Sequence, residues 1–450
     1  MQNYGFHTKY SILIYKKKNI IKVKEKRFIN DLISHITQKQ IMKRTILSLV
    51  AVALATVTMT AQEALWSGTQ VQSPVVNVDG TVTFSIFAPQ AQKVQVTGTF
   101  LPTKMVETPM GKWEQPGVAD LQKDEKGVWT FTSTALESEL YTYNVIVDGM
   151  LMLDPANVYV NRDVASLTSL FIVKGEKGSK GDLYSVNEVP HGNLAKVWYD
   201  SPMLGMKRRM SIYTPPGYDE GKDYPVLYLL HGAGGDEDAW PTQGRTVQIL
   251  DNLIAAGKAV PMVVVMPNGN ADCQAAPGEW PRGMYQPSFM ESVNPRTQPK
   301  ATMDESFMDI VNYVESHFKV RKDKAHRAVC GLSMGGGHSF HISKRFPDKF
   351  DYIGLFSAGL HIGGDQTKAF YDLLKGNDTV QKQLATLFAA NPKLYWIGIG
   401  ETDFLYRQNA DLRRYFDEKG YKYTYLETDG GHIWRNWRIY LTEFAQRIFK

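Results

Sequence analysis

The sequence predicts an α/β protein with a mainly parallel sheet, preceded by an all-β sandwich. Three observations carry this. From about residue 188, short apolar runs alternate with amphipathic stretches, the pattern of strand-helix-strand units. Between Trp66 and Val173 the runs instead alternate apolar and polar residues and are separated by turn residues. Within the second region, Gly331-Leu332-Ser333-Met334-Gly335 joins an apolar run, Ala328-Val329-Cys330, to a helix-compatible segment, His338 to Phe346.

Composition sets the outer bounds. The chain has 450 residues, 43% hydrophobic and 22% charged, enough for two or three domains with sizeable cores. The formal charge of +5 is unevenly placed. Residues 1–44 hold eleven Lys/Arg against two Asp/Glu, and 45–61 hold no charge, so the remainder is net −4. Nothing in that balance asks for nucleic acid. Met42-Lys43-Arg44, then apolar Thr45 to Ala61, then Gln62, reads as a secretory signal peptide, with residues 1–41 as an over-extended start. The alternative is a signal-anchor with a basic tail. The apolar run is short for a span, so a mature chain from Gln62 is expected to be exported without a stable membrane span. Cys273 and Cys330 are the two cysteines, too few for a disulfide framework, and Cys330 reads as a buried thiol. No CxxC or HExxH spacing occurs, so no metal or cofactor is expected.

The sandwich is expected over 62–173. Its strands are read at Thr81–Phe87, Lys93–Thr97, Val128–Phe131, Leu140–Val147 and Leu170–Val173, parted by Asp79-Gly80, Lys126-Gly127, Asp148-Gly149 and Asp154-Pro155. Residues 174–187 open with a Gly/Lys-rich stretch and read as a linker. In 188–450, Ala195–Tyr199 and Arg209–Tyr213 suit an opening antiparallel pair. Pro225–Leu230, Met262–Met266, Ala328–Cys330, Tyr352–Phe356, Leu394–Ile399 and Tyr423–Leu426 suit the sheet. Helices are expected near 246–257, 304–317, 338–346, 409–419 and 434–449.

The G-x-S-x-G context is that of a nucleophile elbow: a sharp turn exposes the Ser333 hydroxyl, and small neighbours permit the turn. A serine nucleophile needs a base, an orienting acid and donors for developing negative charge. His432, in Asp429-Gly430-Gly431-His432, follows the last strand on a loop loose enough to reach a neighbour. Asp403 follows the strand before it and is preferred to Glu401 as the acid. Ala233, in His231-Gly232-Ala233-Gly234-Gly235, and Met334 offer the N–H pair of an oxyanion hole, with His231 read as structural. The long polar loop Asp272–Lys300 carries Trp280, Tyr285 and Phe289, which either contact substrate or pin the loop. Trp240 is a further substrate candidate, and His361–Pro392 is a second candidate cap.

Two resemblances add to this. Phe84-Ser85-Ile86-Phe87-Ala88-Pro89, Gly127-Val128-Trp129, Tyr141-Thr142-Tyr143 and Asp154-Pro155-Ala156-Asn157 resemble the immunoglobulin-like domain before isoamylases, related to family 48 carbohydrate-binding modules. That likeness implies a sugar patch for which Trp113 and Lys112 are the candidates, although Phe100-Leu101-Pro102-Thr103 replaces the usual F-N-x-W; a spacer or cleft-shaping role is the other reading. Tyr213-Thr214-Pro215-Pro216-Gly217-Tyr218, Leu229-Leu230-His231-Gly232, Met266-Pro267-Asn268-Gly269, the elbow and Gly431-His432-Ile433-Trp434 resemble esterase-D-type α/β-hydrolases. Among these the chain is similar to the feruloyl and acetyl-xylan esterases of carbohydrate esterase family 1. The resemblance implies Ser-His-Asp chemistry on Ser333, His432 and Asp403 without a metal, with feruloylated or acetylated arabinoxylan oligosaccharides as partners. Other esters, such as acetyl-xylan or a siderophore trilactone, transesterification, and a non-catalytic carbohydrate-binding role stay open. The linker reading further implies that removing the sandwich leaves turnover of small esters largely intact.

Overall fold

The computed structural model describes residues 71–450 apart from 109–110, 282–298 and 366, together with Lys26, residues 37–39 and Met42; side chains 108–113 and 220 are not described. The chain divides into two compact units, Met1–Gln70 and Val71–Lys450. The expected signal peptide falls in the first, almost all of it outside the described residues. From residue 71 onward, both expected domains lie in the second. No helix among the described residues is long and apolar enough to cross a membrane.

The sandwich packs two antiparallel sheets. One runs Val75–Val76, Val82–Phe87, Val128–Thr132, Gln122–Lys123; the other runs Val160–Asp163, Ser166–Val173, Glu139–Val147, Val94–Gly98, Val118–Asp120. Period-two patterning puts Val82, Phe84 and Ile86 of one sheet against Val94, Val96 and Val145 of the other, all buried. Phe84 centres this core, 4.9 Å from both Phe100 and Tyr143. The Asp154-Pro155-Ala156-Asn157 turn is a polar staple for it. Tyr143 donates its hydroxyl hydrogen to Asp154 at 2.7 Å, and Asn157 donates to Tyr143 Oη at 3.0 Å and to the Leu170 carbonyl at 2.9 Å. A hairpin, Lys104–Thr108 with Gly111–Gln115, stands off the two sheets; its Lys112 and Trp113 side chains lie outside the described residues.

The larger part carries an eight-stranded sheet. We number its strands β1 (Asn193–Ser201), β2 (Met206–Thr214), β3 (Val226–Leu230), β4 (Val263–Pro267), β5 (Arg327–Leu332), β6 (Tyr352–Phe356), β7 (Leu394–Gly400) and β8 (Thr424–Thr428). Their order is β1-β2-β4-β3-β5-β6-β7-β8, parallel from β4 onward. The helices are α1 (Lys180–Tyr184), α2 (Ala239–Thr242), α3 (Thr246–Ala255), α4 (Phe307–His317), α5 (Met334–Arg345), α6 (Phe370–Lys375), α7 (Asp378–Ala389), α8 (Tyr406–Lys419) and α9 (Trp434–Ala445). Both sheet faces are covered, which is why β3, β4 and, past the buried Arg327, β5 run apolar instead of alternating. Cys330, inside β5, is a buried free thiol that burial pushes well above its usual pKa. The segment His361–Pro392 is not a cap. It supplies α6 and α7, and Leu374, Leu384 and Leu387 are buried in the helical layer.

The expected linker is ordered. Residues 180–184 form α1, and Tyr184 is buried between the two parts. Arg245 donates to the Tyr184 carbonyl at 2.9 Å, and Asn252 to those of Leu183 and Ser185 at 2.9 and 3.0 Å. The glycine that made the segment read as flexible serves a close approach: a Cβ on Gly181 would fall 2.0 Å from the Val173 carbonyl oxygen. Arg438 of α9 then crosses to the sandwich, with Glu139 Oε1 at 3.1 Å and the Leu140 carbonyl at 3.3 Å. That pair is buried on both sides, so it favours one docking geometry more than it adds stability.

Candidate active site

Ser333 sits between β5 and α5 with φ +53° and ψ −115°. A side-chain-bearing residue seldom holds that backbone, and here the surroundings enforce it. Its N–H donates to the Phe356 carbonyl at 2.9 Å, and its carbonyl accepts from Gly337 and Gly359 at 3.0 and 2.8 Å. A Cβ on Gly335 would lie 2.5 Å from the Leu230 carbonyl oxygen, and one on Gly337 would lie 2.2 Å from that of Gly359. Contact with the ends of β3 and β6 therefore explains a helical first turn of glycines, which propensity disfavours. It also explains why α5 starts at Met334 and not near His338. As the first residue of α5, Met334 has an N–H without an intrahelical partner, at the positive end of the helix.

Asp403 and His432 leave the ends of β7 and β8, adjacent strands that β6 separates from β5. The buried Asp403 oxygens lie 3.1 and 2.9 Å from His432 Nδ1, and Oδ1 also accepts the Leu405 N–H at 2.9 Å. An ionised carboxylate only accepts, so Nδ1 holds the proton and Nε2, on the far side of the ring, carries the lone pair. The rival Glu401 is exposed on the same loop. Phe404 and Trp437 hold the imidazole, with ring centroids at 4.5 and 4.9 Å. Trp437 Nε1 donates to Ser357 Oγ at 3.1 Å, and Ser357 follows the residue whose carbonyl holds Ser333. A continuous set of contacts thus runs from His432 to the elbow.

The His231–Gly235 loop faces the serine, since a Cβ on Gly232 would lie 3.2 Å from Ser333 Cβ. Burial lowers the His231 pKa and keeps the ring neutral. Gly269 N–H donates to its Nε2 at 2.7 Å, so Nδ1 carries the hydrogen and donates to the Gly232 carbonyl at 2.8 Å. In a planar trans peptide, a carbonyl and the following N–H point in opposite directions. Pinning the Gly232 carbonyl to the buried ring therefore turns the Ala233 N–H to the other side of the loop, where Ala233 is exposed. Arg208 fixes the far end of this relay. Fully buried, it donates to the Asn268 and Asn270 carbonyls at 2.7 Å each and to that of Cys273 at 3.1 Å.

The aromatic candidates separate. Trp280 is half-buried at the last described turn of its loop, and Tyr285 and Phe289 lie outside the described residues. Trp240 is corrected: it is 1% exposed, donates its indole hydrogen to the Leu230 carbonyl at 2.9 Å, and packs on Phe356 and Trp434 as core. Phe404, 40% exposed beside His432, presents an aromatic face that the sequence did not single out.

Two more histidines sit on α5. Burial holds His338 down to about 3 and His341 down to about 4. Below about pH 6.5 the unfolded chain takes up these protons first, so the associated stability is complete at neutral pH. It is lost as the pH falls from about 6.5 toward 4 for His341 and toward 3 for His338. Each group steepens the slope by up to about 1.4 kcal/mol per pH unit. Urea unfolding across this window should show the loss, and a His338→Asn/His341→Asn double variant should show a flatter slope. Equal slopes in the two proteins would assign the effect elsewhere.

Comparison with known proteins places both parts. The profile of the family described as "Putative esterase" matches residues 201–448, and that of carbohydrate-binding module 48, the isoamylase N-terminal domain, matches 68–157. An endo-1,4-beta-xylanase/feruloyl esterase of Xylanibacter ruminicola is 29% identical over 385 residues, 84% of this chain and 46% of that protein. The chain thus spans about half the length of that relative. An acetyl esterase of Caldicellulosiruptor saccharolyticus is 23% identical over 51% of this chain and 85% of its own. Among solved structures, the enterobactin esterase of Shigella flexneri superposes with a TM-score of 0.52 at 17% identity, covering 81% of this chain and 92% of its own; this is a likeness of fold.

Proposed function

Because the chain belongs to this esterase family, we propose that it is an exported serine carboxylic-ester hydrolase acting on feruloyl esters of arabinoxylan. The observation that carries the chemistry is the buried Asp403–His432 pair at 2.9 Å, linked through Trp437 and Ser357 to the turn that holds Ser333 at φ +53°. In this reading Ser333 Oγ attacks the ester carbonyl while His432 Nε2 takes its proton. The Ala233 and Met334 N–H groups receive the carbonyl oxygen as it becomes an oxyanion. His432 then returns the proton to the departing sugar hydroxyl, leaving Ser333 acylated. Water, activated by the same imidazole, releases the acid and restores the serine. Asp403 stays ionised throughout and stabilises the imidazolium that forms twice per turnover. No step needs a metal or cofactor.

The acyl preference rests on two supports. The Xylanibacter ruminicola relative is named an endo-1,4-beta-xylanase/feruloyl esterase, and aromatic surface is on offer: Phe404 lies beside His432, and a half-buried Trp280 stands on the loop after β4. A phenolic ring buries far more apolar area than an acetyl methyl, at about 25 cal/mol per Å². That binding energy can position the distant carbonyl. Export rests on the basic and apolar leader read at 42–61. Product analysis after incubation with feruloylated and acetylated arabinoxylan oligosaccharides tests the preference. Release of ferulate in excess of acetate is expected, whereas acetate as the main product would favour the acetyl ester named for the Caldicellulosiruptor saccharolyticus relative.

A further inference from the structure

The sandwich does more than stand beside the cleft. The loops that carry Ala233 and Asp403 each receive a sandwich side chain, and a third sandwich side chain meets the start of α9, just past His432. Arg162, on the edge strand Val160–Asp163, reaches Asp236 with its Nη2 2.5 Å from Oδ2. Glu114, on the hairpin, accepts from Thr402 Oγ1 at 3.0 Å, next to Asp403. Asp163 accepts from Trp434 Nε1 at 3.4 Å, two residues past His432.

The Arg162 contact is the one built for rigidity. Asp236 is 2% exposed and follows the His231–Gly235 turn directly. Its Oδ1 accepts the Asp238 N–H at 3.0 Å, and its carbonyl accepts the Ala239 N–H at 3.1 Å. Gln243 reaches back and donates to the Arg162 carbonyl at 3.0 Å, so the two parts clasp each other in both directions. Within the α/β part, the same loop is held at Gly232 by His231, at Gly235 by Asn270, and at Glu237 by Arg209 and Asn268. Arg162 completes that set from outside. Without it, Asp236 is a buried carboxylate lacking its cation, and the loop must move to hydrate it. Ala233 lies three residues upstream, and a donor displaced by a fraction of an ångström is a weaker donor to an oxyanion.

We propose that Arg162 is a positioning residue of the active site, acting through Asp236 on the loop that presents the Ala233 N–H. The inference rests on the serine-esterase reading above. It replaces the expectation of a dispensable sandwich with one in which the sandwich is part of the catalytic frame. The contact bears on the transition state and not on ground-state binding, so its loss falls on kcat.

The test uses the full chain and p-nitrophenyl acetate, too small an ester to probe sugar contacts. Ser333→Ala is measured first; if it keeps its turnover, the serine reading falls and this inference with it. With Ser333→Ala inactive, Arg162→Ala is expected to lower kcat by about tenfold or more, short of the about 10²- to 10³-fold seen when an oxyanion donor is removed outright. KM should stay within about twofold, and Arg162→Lys should recover most of the loss. Asp236→Asn combined with Arg162→Ala should be no worse than Arg162→Ala alone, the signature of one shared contact. A normal kcat in folded Arg162→Ala, a change confined to KM, or multiplying losses in the double variant would overturn the inference while leaving the serine reading intact. Should Arg162→Ala fail to fold, Arg162→Gln and the Asp236→Asn single variant give the same comparison.

Discussion

Replacing Ser333 by alanine is expected to lower kcat toward esters by about 10⁵- to 10⁶-fold while leaving the fold unchanged. The size follows from the mechanism. The nucleophile is not one contributor among several; without it the acylation route closes, and only residual catalysis by the N–H donors and substrate binding survives. The fold should tolerate the change, because the strained turn is held by backbone bonds: Ser333 N–H to Phe356, and its carbonyl to Gly337 and Gly359. Alanine keeps all of them. Steady-state kinetics on the purified variant, with its circular dichroism spectrum alongside, checks this. Turnover within tenfold of the parent would remove Ser333 from the mechanism.

Asp403→Asn should cost about 10⁴-fold in kcat, against little change in Glu401→Gln. An asparagine amide can present an N–H to His432 Nδ1, and that favours the tautomer whose Nε2 carries the hydrogen. Such an imidazole cannot take the serine proton. The Asp403 side chain is fully buried and spans His432 Nδ1 with both oxygens, whereas Glu401 is exposed. The two variants assayed side by side on one ester decide the assignment. If Glu401→Gln is the inactive one, the orienting acid has been misassigned.

Much of this was legible in the sequence, for physical reasons that differ from element to element. Buried parallel strands must be apolar along their whole length, so β3 to β7 stood out as runs. The elbow stood out because a tight turn against two strand ends leaves room only for glycine. Asp403 and His432 are expected from position, each following a late strand, and the structure brings the two side chains together. The sandwich–α/β interface was not legible. Gly181 looked like a flexible linker residue because composition cannot distinguish a glycine that is free from one pressed 2.0 Å from where a carbonyl would meet its Cβ. Arg162 and Asp236 are 74 residues apart, and no local pattern joins them. Trp240 was misjudged since an aromatic near a glycine loop serves a core or a cleft equally well; its bond to the Leu230 carbonyl places it in the core. Arg208 carried no signal of its own, because Lys207 and Arg209 flank it in β2; its role as a buried hub for three loop carbonyls shows only in the fold.

The central claim is that Ser333 is a nucleophile activated by the Asp403–His432 pair. Its most direct measurement is mass spectrometry of the full chain after reaction with a fluorophosphonate, followed by peptide mapping. The account predicts one adduct per chain, on Ser333, absent in Ser333→Ala and formed far more slowly in Asp403→Asn. An adduct on another residue, or labelling that Asp403→Asn leaves unchanged, would contradict it.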